Sequence, residues 1–206
     1  TLGGPLDGML AELVCLDAEG VVPIPDHLSY EEAATLPCAA VTAWSALFRH
    51  GDLQAGDTVL VLGTGGVSIA AMQFAKMKGA TVIVTSSSDK KLERACTLGA
   101  DHTINYREHE KWSKAVREFT GGEGADHIIE VGGAKTLTRS LRAVRIGGHI
   151  SVIGVLTGTT EPVNVIPILM RNIRIQGIFV GHRESFEAMN QAMALHHIYP
   201  VISHTF

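Results

Sequence analysis

The sequence predicts a doubly wound α/β domain, with six parallel strands in the order 3-2-1-4-5-6 and helices on both faces of the sheet. Two observations carry this reading. From residue 57 onward, six short apolar runs alternate with amphipathic stretches, the pattern of strands joined by crossover helices. The first of those runs also ends in a glycine cluster that leads directly into an alanine-rich helix. With 46% hydrophobic and 18% charged residues over 206 positions, the chain can build a sizeable core and is not of the disordered class.

In chain order, residues 11–17 alternate loosely around Leu13, Val14 and Cys15 and predict a strand that ends at the turn of Glu19 and Gly20. Pro23 and Pro25 then break the chain before Ser29-Tyr30-Glu31-Glu32. This is a capping box, in which a serine hydroxyl and a glutamate satisfy orphan amides at a helix start. A helix is predicted from Tyr30, interrupted near Pro37, and a second over 39–50 with Trp44, Leu47 and Phe48 on one side. The six strands fall at 59–62, 81–84, 102–104, 127–131, 149–153 and 173–179. Helices fall between them at 68–78, 89–98, 111–120, 135–144 and 166–171. No solenoid-period repeat or low-complexity tract interrupts the pattern.

Bulk charge narrows the partners. The formal net charge is −4 and no basic run exceeds the pair Lys90 and Lys91, which disfavours a nucleic-acid binder. The apolar runs stop at strand length, short of the roughly 20 residues of a membrane-spanning helix. Cys15, Cys38 and Cys96 are isolated, with no CxxC spacing, so neither a disulfide framework nor a zinc knuckle is encoded locally. A small-molecule substrate and a reducing, cytoplasmic setting are the expectation. The chain opens at Thr1, with Met9 its first methionine, and is expected to be a piece of a longer protein.

The glycine cluster is where chemistry enters. Val59 to Leu62 reads as a buried strand, followed by Gly63-Thr64-Gly65-Gly66-Val67-Ser68 and a helix. Gly63 permits the tight turn, Gly65 lets backbone approach a pyrophosphate, and the helix start offers unpaired amides at the positive end of its dipole. Ser68 replaces the usual third glycine and is still small enough for helix to pack on strand. At the tip of the second strand, NAD selectivity calls for an acid that accepts bonds from the ribose 2′-hydroxyl. The chain instead reads Thr85-Ser86-Ser87-Ser88-Asp89-Lys90-Lys91. Ser86 and Lys91 favour NADP, with NAD the alternative because Asp89 stands nearby. The plainer reading makes Ser86 to Ser88 a helix cap and the lysines solvated.

Four segments together resemble the medium-chain dehydrogenase/reductase superfamily, in its zinc-type alcohol dehydrogenase and quinone oxidoreductase-like branch. They are residues 35–44, the turn at 63–68, residues 98–106 and Glu130-Val131-Gly132-Gly133. The resemblance implies a Rossmann NAD(P)-binding domain over 29–206, truncated at its return to the catalytic domain, with 1–28 the trailing edge of a GroES-like β catalytic domain. It places Thr42 against the nicotinamide and Gly65, Gly66 and Val67 on the pyrophosphate. Ser86, Lys91 and Tyr106 would sit at the adenosine phosphate, and Val131, Ile153, Val155, Phe179 and Val180 in loops lining the nicotinamide half of the cleft. It also implies hydride transfer between the nicotinamide and an alcohol, carbonyl, enone or quinone.

Cys38 matches the third catalytic zinc ligand of alcohol dehydrogenases; a small buried cysteine at a helix entry is the plainer reading, and no metal is expected in this chain. The ten histidines are read as scattered surface or capping residues, none of them catalytic. Ile173, Ile175, Ile178 and Val180 make a last strand too apolar for an open edge. The family pairs this strand with a second copy, so a homodimer is expected; the alternative cover is a helix over 182–196. A competing function is a non-catalytic module that binds NADP and dimerises. A methyltransferase is disfavoured by Ser86 at the place of its acid.

Overall fold

The computed structural model describes residues 2–3 and 5–205. Thr1 and Gly4 of the expected catalytic remnant, and Phe206 at the end of the expected Rossmann domain, lie outside the described residues.

Strands β1 (Thr58–Leu62), β2 (Thr81–Ser86), β3 (His102–Asn105), β4 (Ala125–Glu130), β5 (Val144–Val152) and β6 (Arg174–Gly177) form one sheet in the order β3-β2-β1-β4-β5-β6. Every neighbouring pair is parallel. β1 sits inside the sheet with helices on either side, so its Thr-Val-Leu-Val-Leu sequence must be apolar on both faces. Val59 and Val61 enter one buried cluster and Leu60 the other.

Helices α3 (Gly66–Met77), α4 (Asp89–Thr97), α5 (Trp112–Phe119), α6 (Ala134–Ala143) and α7 (Ile166–Met170) are the crossovers. Before the sheet, α1 (Tyr30–Ala34) carries the predicted capping box, with the Ser29 hydroxyl accepting from Glu32 N and the Glu32 carboxylate accepting from Ser29 N. The break falls at Thr35, and the chain is then helical from Leu36 to Arg49, with Pro37 in the first turn. It passes through a π-helical turn, a short α segment α2 (Val41–Trp44) and a second π-helical turn.

Four expectations are corrected. No strand forms over 11–17: the segment is irregular, with Leu13 exposed, and among the described residues no strand lies beside it to take its backbone bonds. β5 starts at Val144, well before the expected 149, because Gly147 and Gly148 are absorbed within the strand beside a register shift at Ala125/His127. β6 is shorter than expected: Asn172 and Val180, both at positive φ, turn the chain at either end. Among the described residues its outer edge has no strand beside it, and the last helix, α8 (Arg183–His196), packs on α2 rather than over that edge, burying Met189 and Met193.

The fourth correction concerns histidines. His182 does cap α8, its Nδ1 accepting from Ser185 N. His127 and His149 are instead paired across β4 and β5 and buried beneath the second π-helical turn. His127 Nε2 lies 3.0 Å from the Asp57 carboxylate, whereas both ring nitrogens of His149 are buried without a hydrogen-bond partner. Burial lowers the pKa of His127 despite Asp57. Burial, with Arg174 alongside, takes His149 from 6.5 down to about 4.

Candidate functional site

The carboxyl ends of the parallel strands meet at one edge of the sheet, where an open α/β domain binds its ligands. Leu62 ends β1, and Gly63 turns the chain at φ +76°, a conformation that a side chain would strain. Two bonds fix the turn from behind. Gly63 N donates to Thr85 Oγ1 on β2 at 3.3 Å, and Ser68 Oγ donates to Leu62 O at 2.8 Å, drawing the first turn of α3 against the strand it follows. Ser68 is buried, as a small residue at this contact must be.

Gly65 is the N-cap of α3, with ordinary extended angles, φ −79° and ψ 179°. A Cβ built on it would meet nothing within 4 Å. No side chain caps α3, so its leading amides and the positive end of its dipole face open space. This is a cradle shaped for an anionic group that approaches the backbone closely.

The turn borders two clefts. One, of about 520 Å³, is lined by Gly65, Gly66, Ile69, Lys91 and Arg94, with Val201 of the C-terminal tail. The other, of about 440 Å³, is lined by Gly63, Thr85, Tyr106, Val131, Lys135 and Arg139. Each carries two cationic side chains beside the glycine turn. Ser86 is buried at the end of β2, and its carbonyl accepts from Tyr106 N at 3.0 Å. Asp89, at the start of α4 after that strand tip, accepts from Asn105 Nδ2 at 2.7 Å, and Glu110 lines the second cleft beside Thr85 and Tyr106.

The expected site residues therefore divide. Gly63, Gly65, Gly66, Lys91, Tyr106 and Val131 line the clefts at the turn. Val67 is half-buried on the first turn of α3. Thr42 is buried and its hydroxyl donates to Cys38 O at 2.7 Å. Ile153 is half-buried beyond β5, Val155 and Phe179 are exposed, and Val180 sits at φ +57° beyond β6. Cys38 is an exposed thiol, and among the described residues no group of three or more His, Cys, Asp or Glu could hold a metal.

Sequence reasoning passed over Glu130. Its carboxylate is fully buried at the end of β4. Gly132 N donates to its Oε1 at 2.8 Å, Gly133 N at 3.1 Å and Thr136 Oγ1 at 2.6 Å, while Ser140 Oγ donates to Oε2. The signal was present: a carboxylate inside the apolar run His127-Ile128-Ile129-Glu130-Val131, directly before a glycine pair.

The profile of the zinc-binding dehydrogenase family matches residues 66–195. A zinc-type alcohol dehydrogenase-like protein of Schizosaccharomyces pombe is 48% identical over 211 residues, which cover 100% of this chain and 61% of that protein. A crystal structure from Sinorhizobium meliloti 1021, assigned there provisionally to the alcohol dehydrogenases, superposes with TM-score 0.93 at 50% identity and covers 98% of this chain and 59% of that one. A 2-octenoyl-CoA carboxylase reductase solved with NADP and 2-octenoyl-CoA superposes with TM-score 0.79 at 30% identity, over 84% of this chain and 43% of that one. The chain thus spans about three fifths or less of the length of these relatives.

Proposed function

Because the chain belongs to the zinc-binding dehydrogenase family, we propose that it is the coenzyme-binding part of an NADP(H)-dependent oxidoreductase acting on an alcohol, carbonyl, enone or quinone. The observation that carries this reading is the open approach to Gly65 in front of the uncapped start of α3. When bound, the coenzyme supplies the hydride, accepted or donated at its nicotinamide ring. The chain's own residues hold it. The α3 amides take the pyrophosphate, and the cations beside the turn draw the anion in. The residues present do not by themselves fit a zinc centre, since among the described residues no three or more of His, Cys, Asp and Glu are grouped to hold one, and no step here runs through a metal.

NADP rather than NAD is supported by Lys91, which lines the 520 Å³ cleft from the first turn of α4, by Ser86 in place of an acid at the end of β2, and by the engagement of one Asp89 oxygen with Asn105. NADPH should bind at least about tenfold more tightly than NADH, the effect of one charge-assisted contact of about 1.5–3 kcal/mol. Lys91→Ala should remove most of that gap in a nicotinamide-fluorescence titration. Equal affinities in the starting chain would refute the selectivity, and no saturable binding of either coenzyme would refute the function.

The chain's share of its relatives favours a second reading, in which this piece binds coenzyme without turning over substrate. Titratable binding with no hydride transfer to aldehydes, enones or quinones would support it. A homodimer through β6 accords with the open outer edge of that strand and with the exposed side chains of Ile175, Leu169 and Met170. Ile175→Lys should then shift sedimentation from dimer to monomer; an unchanged sedimentation coefficient would rule out this edge as the interface.

A further inference from the structure

We infer that Glu130 is a positioning residue for coenzyme binding, a buried side chain whose hydrogen-bond partners set both loops that wall the 440 Å³ cleft. The inference rests on the reading of that cleft as part of the coenzyme site.

A carboxylate taken out of water costs free energy unless its oxygens are satisfied, and buried acids are ordinarily paired with a cation. Among the described residues no Lys, Arg or His is a hydrogen-bond partner of Glu130. Two backbone amides and two hydroxyls do that work, and all four belong to the segment 132–140. Its hydrogen bonds therefore fix the path of the β4–α6 loop. The packing admits little else. A Cβ at Gly132 would lie 2.3 Å from Thr136 Oγ1, the atom that must pass beneath the loop to reach the carboxylate. Gly133, at φ +93°, would drive a Cβ to 2.8 Å from Val155 Cα.

The second wall is hung on the first. Thr157 donates to Gly132 O through its backbone N at 2.7 Å and through its hydroxyl at 2.9 Å, and Ala134 N donates to Gly158 O at 3.1 Å. Glu130's own carbonyl accepts from Ile153 N at 2.9 Å. Val131 and Gly132 from one loop, and Leu156 and Thr157 from the other, all line the cleft. One residue, through its side chain and its carbonyl, thus governs both faces without touching the ligand.

The test measures, in this chain, both the Kd for NADPH and the number of sites titrated, at a temperature where circular dichroism shows the protein folded. Glu130→Ala should raise Kd at least about tenfold, and Thr136→Val, which removes one hydroxyl and leaves the carboxylate, about threefold. Glu130→Gln, whose carbonyl can take the place of Oε1, should restore affinity to within about threefold of the starting chain. A merely structural role would lower the number of sites at unchanged Kd, and that result, or equal Kd in all variants, would overturn the inference. If Glu130→Ala does not fold, Thr136→Val and Glu130→Gln decide. If the starting chain binds neither NADPH nor NADH, the functional reading fails first and takes this one with it; if it binds and the variants match it, this inference alone fails.

Discussion

A Gly65→Val chain should fold, melt within about 5 °C of its parent and yet lose at least about a hundredfold in affinity for both NADPH and NADH. The two halves of this expectation have separate causes. Gly65 lies at φ −79° and ψ 179°, where a β-branched residue is comfortable. An added Cβ there meets no protein atom within 4 Å beyond its neighbours, so the cost to the fold is that of valine in place of glycine at an N-cap, about 1 kcal/mol or less. The same space is the approach to the α3 amides, and methyl groups in it hold a pyrophosphate away from them. Losing two charge-assisted bonds costs about 3–6 kcal/mol, which is at least about a hundredfold in Kd. Fluorescence titration beside a thermal melt checks both halves. Retained affinity would show that the turn binds nothing; a collapsed melting temperature would show that Gly65 supports the fold instead.

The second expectation concerns acid. His149 is held neutral, with a pKa of about 4 against an ordinary 6.5. Between those values the unfolded chain binds a proton that the folded chain refuses, so the stability this residue contributes is complete above pH 6.5 and is lost as pH falls toward 4. The shift corresponds to about 3 kcal/mol. The groups facing the ring add to the effect: Arg174 opposite it on β6, His127 on β4 and His50 above all disfavour its protonation. His149→Phe removes the titrating ring while filling much of its volume, and should flatten the urea-denaturation free energy between pH 7 and pH 4 by about that amount. An unchanged pH profile would place the acid sensitivity elsewhere, with His127 the next residue to replace.

The sheet was legible because parallel strands buried on both faces carry apolar runs, as Val59 to Leu62 of β1 and Val82 to Val84 of β2 do, and because the glycine turn has few other uses directly after such a strand. The capping box at Ser29 was legible because its partners are three residues apart. What escaped depends on partners distant in sequence. The segment 11–17 alternates as a strand should, but alternation describes only one side of a pairing and nothing lies opposite it here. Gly147 and Gly148 read as a break, yet β5 runs through them, stitched to β4 on one side. His127 and His149 look like polar punctuation until the register of β4 and β5 places them together beneath the helical run. In the candidate site, Gly63, Gly65 and Gly66 were readable from local turn chemistry. Glu130 left a local signal, an acid inside an apolar run, but its partners at 132–140 appear only once a loop has folded back over it.

The strand order also bears on how the molecule comes apart. β6 leaves one flank of the sheet without a neighbour among the described residues, and β3, only four residues long, forms the other. Unravelling that starts from either lip must strip away β5 and β4, or β2, before it reaches the middle. The ledge on which the glycine turn rests is then the last portion to dissolve, and deuterium uptake at Leu60 and Val61 should lag behind every flanking strand.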